Sequence, residues 1–146
     1  MSKPLSDRTA PDVPDEFPLM TDYTAAMAKG VTQQDRLNFI QALRRQDDCW
    51  SECFGEEFYQ LHFSDLFTKM WQGGKPVARS TAYLYMAHLS EQTAKKYVNQ
   101  AIQAGLLMEI PNPDDGRSRL IQMSPALQLR LERWMDISVK AFREQL

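Results

Sequence analysis

The chain has 146 residues, of which 43% are hydrophobic and 25% charged, the balance of a water-soluble domain large enough to bury a core without disulfide or metal staples. No apolar run approaches the ~20 residues that span a bilayer, and the N-terminus lacks a basic-then-apolar signal pattern, so a cytoplasmic protein without a membrane partner is expected. The net charge of -2 excludes a uniformly basic nucleic-acid binder, but its distribution is uneven: residues 1–74 carry 7 Lys/Arg against 12 Asp/Glu, and residues 75–120 carry 6 against 4.

In chain order, Pro4, Pro11, Pro14 and Pro18 break up the first residues, and 1–30 reads as a flexible tail with a short helix at Thr21–Lys29. Thr32 is a candidate N-cap. Leu37, Ile40 and Leu43 continue with helical spacing, as do Trp50, Phe54, Phe58 and Leu61. Asp47-Asp48 and Gly55 leave open whether this is one bent helix or two. Ser64 or Asp65 is expected to cap a further helix that Gly73-Gly74 ends. Pro76 suits the first turn of a short helix over Val77–Met86. A tight turn at His88-Leu89 follows, and Ser90 caps a helix whose buried face is Ala94, Val98, Ala101 and Ile102. Gly105 is its C-terminal cap.

Two short extended runs, Leu106–Ile110 and Leu120–Met123, flank the turn-rich Pro111–Gly116 and predict a β-hairpin with a long tip. Ser124-Pro125 starts a last helix with an apolar stripe of Leu127, Leu131, Trp134, Ile137 and Phe142. That stripe is too apolar to stay uncovered, and a second copy of the chain is its natural partner. The expected organisation is a tail at 1–30, N-terminal dimerisation helices at 31–63, a helix-turn-helix with a hairpin at 64–124, and a dimerisation helix at 125–146. The fold class is mainly α with a small β-hairpin wing.

The order helix, turn, helix, hairpin suits double-stranded DNA. A helix fits the major groove, and the polar face opposite Ala94 and Val98 carries Gln92, Thr93, Lys95, Lys96 and Asn99, with Ser90 at its start. Ser80 on the preceding helix is a further candidate contact. Arg117 and Arg119 stand two apart on the hairpin, where an arginine can enter the narrow minor groove, and Asp115 is placed to hold Arg117 in one rotamer.

Residues Leu89–Leu107 resemble the recognition helix of a winged-helix regulator. Residues Asn112–Ser124 resemble the wing of the MarR family, including an Asp-x-Arg element at Asp115–Arg117. The resemblance covers about residues 64–124. It implies a homodimeric transcription regulator, a repressor, on a palindromic site, with Gln92, Thr93 and Lys96 toward the major groove and Arg117 in the minor groove. It also implies a small aromatic effector. His88 stands where the family usually carries Gly, which calls for a left-handed backbone there.

Most of the aromatic residues are expected in the core, with Phe54, Phe58, Trp71, Tyr83 and Tyr85 as the candidate effector pocket. Cys49 and Cys53 share a helical face, but with distant His62 they do not complete a four-ligand site, and buried free thiols are expected. No cofactor or metal is expected. There is no Gly-rich phosphate loop, His-Glu metal motif or nucleophile elbow, so no enzymatic activity is expected. The alternatives are a winged-helix adaptor that binds protein and a thiol- or metal-responsive regulator.

Overall fold

The computed structural model describes residues 30–146; the expected tail and the helix at Thr21–Lys29 lie outside the described residues. Helix α1 runs unbroken over Gln33–Phe54. Its start is a capping box: Thr32 Oγ1 accepts from the Asp35 N–H at 3.0 Å, and Asp35 Oδ2 accepts from the Thr32 N–H at 2.9 Å. Asp47 and Asp48 face solvent and do not interrupt it. A 3-10 turn at Glu56–Phe58 leads to α2, Leu61–Gly73.

Three expectations are corrected here. Helix α2 begins three residues before Ser64, because the Gln60 carbonyl already accepts from the Phe63 and Ser64 N–H groups. The expected helix over Val77–Met86 is shorter: Val77–Ala78 is strand β1, and only Arg79–Tyr85 is helix α3. Val77 pairs with Ile121 and Ala78 with Leu120, so sheet pairing overrides the local helical pattern. The hairpin tip is also shorter than expected. Strands β2, Leu107–Asn112, and β3, Asp115–Met123, leave only Pro113-Asp114 between them. The pairs Pro111↔Arg119 and Asn112↔Asp115 enclose Gly116–Ser118 as a bulge on β3.

Helix α4, Glu91–Gln103, follows α3 through the turn at His88, whose φ of 64° makes it the only described non-glycine residue with positive φ. The chain leaves α4 through Gly105 at φ 75°. The Gly105 N–H donates to the Ile102 carbonyl and the Leu106 N–H to the Ala101 carbonyl, the paired bonds of a Schellman end, which aims the chain directly into β2. The sheet order is β1-β3-β2, all antiparallel. Helix α5, Pro125–Gln145, is capped by Ser124, whose Oγ accepts from the Leu127 N–H at 3.1 Å. It runs antiparallel to α1: Phe142 meets Phe39, and Trp134 meets Trp50.

Trp50 is the centre of the core. Its ring lies 4.2 Å from Phe54, 6.3 Å from Phe67 and 4.9 Å from Trp134, the last edge-on. Its indole N–H donates to the Phe58 carbonyl at 2.9 Å, and the Trp134 indole N–H donates to the Gln46 carbonyl at 3.1 Å. The aromatic series continues through Phe63 to Tyr97 on α4, 5.1 Å apart and edge-on. Among the described residues, no helix is long and apolar enough to cross a membrane.

Trp50→Ala removes this centre and leaves the Phe58 carbonyl with the Gln60 N–H alone, and a loss of about 3–5 kcal/mol is expected in urea unfolding. The bonds with Thr32 hold the Asp35 carboxyl below its ordinary pKa. Its contribution is therefore complete above the unfolded carboxylate pKa and is lost as pH falls through the folded one. Asp35→Asn should flatten the acid limb of a stability-against-pH curve and leave the neutral limb's shape unchanged.

Candidate nucleic-acid interface

The amphipathic pattern of α4 decides what it can present. Ala94, Val98 and Ala101 are buried, whereas Gln92, Lys95 and Lys96 are exposed, and Thr93 and Asn99 are half-buried. Ser90 serves as the cap: its Oγ accepts from the Thr93 N–H at 3.2 Å and donates to Thr93 Oγ1 at 2.9 Å. Ser90 and Thr93 thus hold each other at the start of the helix, where free backbone N–H groups attract anions. Ser80 is exposed on α3.

The wing is fastened by its own side chains. Asn112 Oδ1 accepts from the Asp114 N–H at 3.0 Å, and Asn112 Nδ2 donates to Ser118 Oγ at 2.9 Å. Asp115 Oδ1 accepts from the Arg117 backbone N–H at 3.0 Å. The expectation that Asp115 grips the Arg117 side chain is corrected by this bond: Asp115 fixes the backbone of the bulge. The exposed Arg117 and Arg119 side chains project from a shaped turn.

Sequence reasoning missed the residues that join these parts. Arg79 at the start of α3 donates through Nε and Nη2 to Glu109 on β2, and through Nη1 to the Tyr83 hydroxyl at 3.2 Å. Partial burial pulls the Arg79 pKa down, but these bonds outweigh it and hold the guanidinium above its ordinary value. Lys69 Nζ donates to the Tyr85 carbonyl at 2.8 Å, closing the end of α3 from α2. Gln100 on α4 reaches Glu57 in the 3-10 turn. Apart from Arg79 and Tyr83, one turn apart on α3, these partners are 16 to 43 residues apart, and no local spacing announces them.

The five residues expected around an effector are separated. Phe54 and Phe58 are closed into the core at 5% and 4% exposure, and Tyr83 and Tyr85 pack half-buried against it. Trp71 instead borders a groove of about 210 Å³ with Lys75, Pro76, Gln122 and Gln128. A larger groove of about 410 Å³ lies between α1, the Tyr59–Leu61 connection and α5, lined by Leu43, Trp50, Tyr59, Leu61 and Trp134.

Cys49 is buried and Cys53 half-buried, with their Sγ atoms 3.8 Å apart. Burial, reinforced by the Cys53 thiol, pushes the Cys49 pKa up to about 11.

No family model and no curated protein matches the sequence. Solved structures do. A probable transcriptional regulator from Pseudomonas aeruginosa is 23% identical, over 74% of this chain and 79% of that one, with a TM-score of 0.51. Wild-type MarR from E. coli in its apo form is 9% identical over 81% and 83%, with a TM-score of 0.55. A mutant E. coli MarR complexed with operator DNA is 12% identical over 75% and 76%, with a TM-score of 0.52.

Ser90→Ala should cost about 1 kcal/mol in chemical denaturation, whereas Ser90→Asp, which keeps an acceptor, should cost little. Equal losses would remove the capping role. The element order, the three-stranded wing and these likenesses together establish the fold: the chain is a MarR-like winged helix.

Proposed function

We propose that the chain is a double-stranded DNA-binding transcription regulator that acts as a homodimer. The observation that carries this reading is the pairing of a core-anchored helix, with Gln92, Lys95 and Lys96 exposed, with a braced hairpin that presents Arg117 and Arg119. Helix α4 enters the major groove, where Gln92 and Lys96 meet base edges and Lys95 and Asn99 the phosphates. Arg117 enters the minor groove beside it. The mutant MarR with operator DNA supports the assignment, since a protein of the same fold is seen on such a partner.

The homodimer rests on the outer faces of α1 and α5. Phe39, Ile40 and Val139 are 46%, 42% and 47% exposed there, apolar surface that a second copy covers. A dimer seated on a promoter excludes other proteins, which makes repression the mode of action. The groove at Trp50, Tyr59 and Trp134 is the place for a small aromatic effector, because its walls are largely aromatic and aliphatic.

Selection of bound fragments from genomic DNA, followed by fluorescence anisotropy, tests the reading. Affinity for the selected fragment should fall steeply and log-linearly with salt. Arg117→Ala should weaken it by about 1–3 kcal/mol, and Lys95→Glu with Lys96→Glu should abolish it while circular dichroism stays unchanged. Absence of any preferred fragment at low salt contradicts the function. Unchanged affinity in Arg117→Ala contradicts the wing's role alone.

A further inference from the structure

The two thiols of α1 are the only cysteines in the chain, and DNA recognition does not use them. Their sulfurs lie 3.8 Å apart, one inside the core and one at its edge. Two chemistries join such a pair, a disulfide or a shared metal ion, and the geometry separates them.

Residues four apart on a helix hold their Cβ atoms about 5–6 Å apart. A disulfide needs about 3.5–4.5 Å between Cβ atoms and about 2.05 Å between sulfurs. Closing that bond would distort α1 beside Trp50, on which the core is centred. A shared ion asks much less. Two metal–sulfur bonds of the zinc–thiolate length, about 2.3 Å, span at most about 4.6 Å. The observed separation lies inside that limit, so a side-chain adjustment toward a near-linear sulfur–metal–sulfur arrangement suffices, with the helix intact.

Coordination number selects the ion. Among the described residues, no group of three or more His, Cys, Asp or Glu side chains gathers, so a four-coordinate zinc site lacks its ligands. Cuprous copper prefers soft sulfur ligands and is satisfied by two of them.

We propose that Cys49 and Cys53 form a two-thiolate site for a monovalent thiophilic cation of the cuprous class. On loading, two S–H bonds break, two metal–sulfur bonds form and two protons pass to solvent. The metal enters and leaves in the +1 state, so no electron is exchanged. Entry is from the side of half-buried Cys53. The site does not depend on the DNA-binding reading and stands or falls separately from it.

The test is an anaerobic titration of the full chain against cuprous copper held by bathocuproine disulfonate. The expected result is one copper withdrawn per chain, protection of the half-buried Cys53 thiol from Ellman's reagent, and two sulfur neighbours per copper in X-ray absorption. Cys49→Ser and Cys53→Ser should each abolish the withdrawal while keeping the wild-type circular dichroism spectrum. Alkylation of Cys53 in the unmutated chain should do the same, which guards against a variant that fails to fold. Absence of withdrawal by the wild type would overturn the site. So would undiminished withdrawal by either variant or by the alkylated chain, or a copper shell with more than two protein ligands.

Discussion

The indole of Trp50 is the contact on which the other parts depend. It touches Trp134 of α5 and Phe67 of α2 and ties down the Phe58 carbonyl after α1 has ended. That hydrogen bond acts with the Phe58 ring, packed on Phe63 and Phe67, to set the 3-10 turn between α1 and α2. From Phe67 the packing passes to Phe63 and then to Tyr97. One series of rings therefore reaches from the α1–α5 pair to the helix proposed to read DNA. Close-packed interiors transmit displacement poorly to solvent and well to neighbours. Trp50 and Tyr97 of α4 thus belong to one packed series of rings.

The wing is held by a different kind of force. It contributes Leu107 and Ile121 to the core, but its tip has no apolar anchor. Order there comes from short polar side chains bonding backbone within the turn and from Arg79 gripping Glu109. Exposed ion pairs are worth little as stability, about 0–1 kcal/mol. This one is better understood as setting the position of β2 against α3. A tip shaped by local hydrogen bonds stays in register while Arg117 and Arg119 remain free to find phosphate or a groove.

Much of this was legible from spacing alone. The caps at Thr32, Ser90 and Ser124 and the stop at Gly105 follow from residue types that satisfy helix ends. The buried face Ala94–Val98–Ala101 follows from helical period. The failures share a cause. Val77–Ala78 looks helical locally and becomes a strand because Ile121 and Leu120, more than forty residues on, supply its partners. The start of α2 carries no local mark, because its N-cap Gln60 makes no side-chain capping bond and Leu61 extends the apolar spacing of the preceding segment while lying exposed. Of the candidate interface, the exposed residues on α4 and the wing were readable. Arg79, Glu109 and Lys69 were not, since long-range polar pairing leaves no local signature. The aromatic residues were correctly assigned mostly to the core, but composition does not tell which of them border a groove.

The central claim is that α4 and the wing form one surface that sits on DNA as half of a symmetric pair. Hydroxyl-radical footprinting on a selected fragment tests it most directly. The account predicts two equivalent protected segments related by a twofold axis, centred about one helical turn or a multiple of it apart, with flanking minor-groove protection that Arg117→Ala removes. A single asymmetric footprint, or flanking protection that survives Arg117→Ala, would contradict it.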